Sequence, residues 1–245
     1  MTNKNALVCK LIILAAGRST RFEGNKLLEP YGTSTVLESL LEKVVQTIFQ
    51  DSLMCQDAGD LKNSQLYQAE GCLQGATAQG CKMDLGEVVL VTTQETLSGI
   101  LLDTCRIRIG KLPLQVVLNP MPEEGISHSI FLGLEAAGEA DVYGFLVADQ
   151  LALSSKTIQE MLLTYPKCKK GILCARHGET LGNPVFFHRD YKEALKQLQG
   201  DKGGKVVLKQ HLDDVAYFEI KEALELQDLD SKKDWTYFKK EHSCN

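Results

Sequence analysis

CxxC pairs are absent from this chain, and no apolar stretch reaches the ~18 residues that a membrane span requires. The eight cysteines (Cys9, Cys55, Cys72, Cys81, Cys105, Cys168, Cys174, Cys244) are scattered, with spacing wrong for zinc. Their expected role is that of reduced, small hydrophobic side chains. Positive charge is also in short supply: 27 Lys and Arg against 32 Asp and Glu give a net charge of −5. That balance argues against a nucleic-acid binder, which would need a basic face, but not against a locally basic site for an anionic substrate. No repeat, low-complexity tract or Pro/Ser-rich linker divides the chain, so residues 1–245 are expected to form one domain. The apolar run Ala6–Gly17 ends in small residues like a signal peptide. Lys10 interrupts it and charges follow at once, so a cytoplasmic protein is expected, with no membrane contact.

What is present is concentrated in Leu11–Leu28, LIILAAGRSTRFEGNKLL. A short apolar run stops at Ala15-Ala16-Gly17, and a loop follows with three cations (Arg18, Arg21, Lys26), two hydroxyls (Ser19, Thr20) and glycines at 17 and 24. This reads as a buried strand delivering a loop to a sheet edge. The loop has neither the GxGxxG of a dinucleotide fold nor the GxxxxGK[ST] of a P-loop. Small residues let backbone N–H groups approach an anion, lysine adds a mobile charge and arginine a fork. On these grounds alone a phosphate loop and a basic surface turn are equally good readings.

The rest alternates between strand and helix. Thr35 and Glu38 have capping-box spacing before an amphipathic helix from Val36 to Phe49. Asp51–Gly86 lacks any clean period and is expected to be a polar surface insertion, with room for a short helix in Leu61–Glu70. Strands are expected at Glu87–Thr93, Leu114–Leu118, Tyr143–Ala148, Gly171–Ala175, Val185–His188 and Ala216–Ile220. Helices are expected at Leu97–Cys105, from Ser129 to about Ala137, at Ser154–Tyr165 and at Asp190–Leu198, with a short one after Gly204 and a terminal one carrying Trp235. The pattern predicts an α/β, three-layer Rossmann-like fold, a mostly parallel sheet with helices on both faces. Ligands in such folds sit at the carboxyl ends of strands. The opening loop, Asn119 and Asp149 all fall there.

LAAGRSTRFEGNKLL resembles the LAAGxSxRxG..K signature of the nucleotidyltransferases that act on the molybdenum cofactor. Five further elements occur along the chain in the order that the resemblance requires. VADQL, with Asp149, resembles an apolar strand ending in a metal-binding aspartate. Gly125-Ile126-Ser127-His128-Ser129 resembles GMSxS, and Gly182-Asn183-Pro184-Val185-Phe186-Phe187 resembles GxPVLF. Gly200-Asp201-Lys202-Gly203 resembles GDxG, and Asp228-Leu229-Asp230-Ser231 resembles DIDTPED. The resemblance spans about residues 10–235. It departs at Leu151, where proline is usual, at Asn25, where proline often precedes the lysine, at Lys232-Lys233, which interrupts the last element, and in the insertion. Ala16, in LAAG rather than LAGG, leans toward the cytidylyltransferase branch.

This resemblance implies nucleotidyl transfer, with CTP and the molybdopterin (molybdenum) cofactor as substrates and Mg²⁺ as cofactor. Arg18, Arg21, Lys26 and Asp149 are the implied catalytic residues. Leu14, Ala15, Ala16, Gly17, Arg18, Ser19, Lys26, Asn119, Gly125 and Ser127 are the expected nucleotide contacts. Gly182, Asn183, Pro184 and Asp201 are expected at the acceptor, and Asp149 with Asp230 at the metal. A molybdenum hydroxylase or its maturation factor is the implied protein partner. Other readings stay open: a GTP-using relative, a sugar- or polyol-phosphate cytidylyltransferase, or a non-catalytic protein that delivers cofactor through the insertion. Residue by residue, Ser127 and Ser129 equally suit N-caps, Asp230 the cap of the last helix and Asp201 a turn, while His128 and His177 read as surface residues.

Overall fold

A computed structural model describes residues 6–17, 22, 24–54, 82–100 and 114–242. Its centre is β1 (Ala6–Ala15), whose apolar run alternates between two faces. Cys9, Leu11 and Ile13 point into one buried cluster and Ile12 into another, so both faces of the strand are covered. β4 (Lys82–Thr92) and β6 (Val142–Val147) flank β1 in parallel, and β5 (Leu114–Leu118) extends the sheet beyond β4. On the other side β8 (Thr180–His188) runs antiparallel to β6 and to β7 (Ile172–His177), and β9 (Val215–Glu219) pairs parallel with β7. The seven-stranded order is β5-β4-β1-β6-β8-β7-β9, with β8 alone reversed. A small hairpin of β2 (Pro30–Tyr31) and β3 (Ser34–Thr35) stands apart.

Helices cover both faces. One layer holds α1 (Val36–Met54), α4 (Ser155–Thr164) and α7 (Lys232–His242). The other holds α3 (Ile126–Ala137), α5 (Lys192–Lys196) and α6 (Lys205–Gln210). A short α2 (Gln94–Gly99) follows β4. The expected capping box forms: the Thr35 amide donates to Glu38 Oε2 at 2.7 Å, and the Glu38 amide to Thr35 Oγ1 at 3.3 Å. No helix among the described residues is long and apolar enough to cross a membrane. Burial raises the Cys9 thiol far above its ordinary range and pushes Cys174 up to about 12, as inert core cysteines require.

Two expectations need correction. The insertion is shorter than Asp51–Gly86, because α1 continues to Met54 and β4 begins at Lys82. Pairing of Ala6–Cys9 with Lys82–Leu85 imposes the strand on polar residues, and a bulge absorbs Gly86 opposite Lys10. The proposed helix in Leu61–Glu70 lies outside the described residues. The helix expected at Leu97–Cys105 begins earlier, at Gln94, where Thr93 Oγ1 caps the Thr96 amide at 3.2 Å. It ends at Gly99, and residues 101–113 lie outside the described set.

Candidate active site

In-register parallel pairing sets the site. Ala15 lies opposite Thr92, Thr92 opposite Leu118 and Leu14 opposite Val147. The segments after β1, β5 and β6 therefore leave the sheet side by side, and Gly17, Asn119 and Asp149 share its carboxyl edge. Leu14 and Ala15 are held there through their carbonyls: the Ala148 amide donates to that of Leu14 at 3.0 Å, and the Thr92 hydroxyl Oγ1 to that of Ala15 at 3.4 Å. Ala16 is buried and Gly17 exposed. Arg18, Ser19 and Arg21 lie outside the described residues.

Lys26 opens a single 3-10 turn, Lys26–Leu28. Asn25 fixes that turn twice: its Oδ1 accepts from the Leu27 amide at 3.1 Å, and its Nδ2 donates to Thr96 Oγ1 at 2.8 Å. A proline here would supply neither bond, which gives the departure at Asn25 a structural purpose. Leu27 is buried beneath, and the turn presents Lys26 Nζ 2.5 Å from Asp149 Oδ2 and 3.8 Å from Asp230 Oδ1. The Lys26 and Asp149 side chains are only 13% and 19% exposed, so this pair is far better shielded from water than a surface ion pair.

The second acidic segment is tied to the first by its backbone, the Leu229 amide donating to the Asp149 carbonyl at 3.1 Å. Leu229 is buried, while Asp228 and Asp230 on either side of it are exposed. Helix α7 is capped by Ser231, whose Oγ accepts from the Asp234 amide at 3.3 Å while its own amide donates to Asp234 Oδ2 at 2.8 Å. Ser231 thus takes the capping role and leaves Asp230 to face Lys26. Asp228 was not among the expected site residues. Partial desolvation and the negative charges of Asp149 and Asp230 push its carboxyl up to about 6, against the pull of Lys26 and Lys205. The residue is exposed to solvent, so repulsion from the two carboxylates is the cause of greater weight. The i, i+2 spacing of Asp228 and Asp230 around one apolar residue was the sequence signal for it.

Asp149 and Asp230 both face Lys26, and carboxylate oxygens are the donors that a hard divalent cation takes. Among the described residues no group of three or more His, Cys, Asp or Glu side chains is placed to hold a metal ion. An ion that completes its shell with phosphate oxygens and water fits such an open arrangement.

Asn119 is buried and organises the loop after β5. Its Nδ2 donates to Ser129 Oγ at 3.0 Å, its Oδ1 accepts from the Met121 amide at 2.9 Å, and His128 Nδ1 lies 2.9 Å from the same oxygen. Its side chain therefore shapes the loop. Ser127 and Ser129 are buried and are not N-caps; α3 starts from Gly125, which makes no side-chain cap. Gly125 holds φ +85°, and a Cβ there would fall 2.5 Å from the Gly200 backbone and 2.6 Å from Asp201 Oδ1. With the Ser127 amide donating to the Gly200 carbonyl at 3.1 Å, the element expected at the nucleotide and the one expected at the acceptor meet here.

Gly182 and Pro184 are buried in β8, and Asn183 is half-buried. A Cβ on Gly182 would fall 2.9 Å from Leu226, two residues before Asp228, so this glycine seats the acidic segment. His177 Nδ1 contacts the Ile220 carbonyl at 2.8 Å.

A family model described as MobA-like NTP transferase domain matches residues 11–215. No curated protein matches the chain in sequence. Among solved structures, Rv0371c from Mycobacterium tuberculosis H37Rv superposes with a TM-score of 0.64 at 19% identity, covering 94% of this chain and 97% of that one. A nucleotidyl transferase from Methanothermobacter thermautotrophicus gives 0.64 at 17%, covering 96% and 97%. Molybdopterin-guanine dinucleotide biosynthesis protein A from Archaeoglobus fulgidus gives 0.59 at 13%, covering 96% and 98%.

Proposed function

The chain belongs to the MobA-like NTP transferase family, and on that premise we propose that it transfers CMP from CTP to the terminal phosphate of the molybdopterin cofactor, releasing pyrophosphate. The observation that carries this reading is Lys26 set against Asp149 and Asp230 at the carboxyl edge. The acceptor phosphate is already anionic at neutral pH, so no protein nucleophile is needed. The oxygen–phosphorus bond to the acceptor forms as the bond to pyrophosphate breaks, and the site's task is alignment and charge neutralisation.

Lys26 is the cation placed to follow negative charge onto the leaving pyrophosphate, with Arg18 and Arg21 assigned to the same task from the sequence. Asp149 and Asp230, with Asp228 beside them, would hold Mg²⁺, which supplies charge neutralisation to the triphosphate when bound. Buried Ala16 and the backbone of Leu14–Gly17 form the floor on which the nucleotide lies. Gly125, Ser127 and Asn119 shape its flank, and Asp201 with Gly182–Pro184 define the acceptor side. Ala16 favours cytosine. Guanine is the second reading, favoured by the name of the Archaeoglobus fulgidus neighbour. Product carrying CMP would be handed to a molybdenum hydroxylase or its maturation factor.

The deciding measurement is pyrophosphate release with CTP or GTP, with and without molybdenum cofactor and Mg²⁺. Release that needs CTP, cofactor and Mg²⁺ together is expected. Release with GTP alone among nucleotides would transfer the assignment to guanylyl transfer, and none with either would remove it.

A further inference from the structure

The loop that carries Asp149 is held from behind by α1, a helix that none of the family elements includes. Lys43 on α1 donates from Nζ to the Leu151 carbonyl. One turn later Thr47, fully buried, places Oγ1 3.1 Å from the Ser155 carbonyl and 2.9 Å from that of Lys43. On the other side Glu225 Oε2 accepts from the Ser154 amide at 2.9 Å, and the Leu229 amide reaches the Asp149 carbonyl. Residues 149–155 are thus clamped between α1 and the segment that bears Asp228 and Asp230.

A lysine is an expensive choice for this clamp. Burial pushes the Lys43 ammonium down to about 8, with the charge of Glu225 acting against that fall. A methionine would fill the same space without a desolvated charge, and it would leave the Leu151 carbonyl without this donor. Leu151 also stands where the family resemblance expects proline, so the loop here lacks a ring that would stiffen it.

We propose that Lys43 is a positioning residue for nucleotidyl transfer: by gripping the Leu151 carbonyl from α1, it sets the Asp149 carboxylate opposite Lys26. This rests on the proposed transferase reaction, since Lys43 itself touches neither substrate nor reacting atoms.

The test uses the full chain with Lys43→Met and Lys43→Arg. Outer-shell partners of this kind typically change activity about 10- to 100-fold. Lys43→Met is therefore expected to lower kcat for pyrophosphate release by that factor while changing KM for CTP less than about threefold. Lys43→Arg, which keeps the donor, should recover most of kcat. Hydrogen exchange supplies a readout that needs no substrate: amides of 149–155 should exchange about tenfold faster in Lys43→Met and near the wild-type rate in Lys43→Arg. Unchanged exchange, or unchanged kcat in Lys43→Met, overturns the proposal. A wild-type chain inactive with every nucleotide would instead defeat the transferase reading, and the exchange rates would still decide whether Lys43 holds the loop.

Discussion

Replacing Asp149 by Asn preserves the shape of the side chain and removes the charge that Lys26 faces. Metal-dependent turnover is expected to vanish in Asp149→Asn while the thermal midpoint stays within a few degrees, which a pyrophosphate assay and a melting curve check together. Lys26→Ala removes a charge contact of the kind whose loss typically costs ~10²–10³ in rate, and near-normal turnover would count against the whole opening loop. Asn119 works differently. Its side chain is used up within the protein, so Asn119→Ala leaves buried partners unsatisfied and should destabilise by ~1–3 kcal/mol in denaturant titration.

At the scale of elements, the contact between the loop before α3 and the loop after α5 is the most exacting. Gly125→Ala adds a Cβ at a positive φ and 2.5 Å from the Gly200 backbone, so the loops must separate. A loss of ~1–3 kcal/mol is expected, along with weakened nucleotide binding in calorimetry. The same scale shows what the sequence discloses. β1, β5 and β6 are legible because they are predominantly apolar runs with breaks on both sides. Asp149 is legible because it sits just beyond such a run, and Lys26 because it closes the basic loop that follows one. The beginning of β4 is not, since Asp84 and Gly86 are poor strand formers and owe their conformation to a neighbour roughly 75 residues earlier. Asp228 is only half legible: its i, i+2 spacing from Asp230 puts the two on one side of the chain, but its proximity to Asp149 arises from the long-range Leu229–Asp149 backbone bond. Nor does any periodicity of α1 reveal that Lys43, on a helix read for its apolar face, grips the Asp149 loop.

Across the whole molecule, the buried Lys43 gives stability a pH dependence of known sign. Its pKa lies near 8 when folded and 10.5 otherwise, so between those values the folded chain binds fewer protons than the unfolded one. Stability therefore rises as pH climbs from about 8 to 10.5, by on the order of 1–3 kcal/mol, with Glu225 the charged neighbour that limits the effect. Urea titrations of the wild type and Lys43→Met across that range should show the rise in the former alone. Assembly of the site is equally global, because Lys26, Asp149 and Asp228–Asp230 arrive from distant parts of the chain. Trp235 makes that assembly observable. It is the single tryptophan in the sequence, it is buried, and its ring lies 6.2 Å from that of Tyr31 in the hairpin just downstream of Lys26. Its fluorescence is thus a built-in optical gauge placed five residues from Asp230, free of background from any second indole. Quenching or a spectral shift on adding nucleotide or Mn²⁺ would follow the carboxylate segment as it responds to its ligands, in real time and without a label.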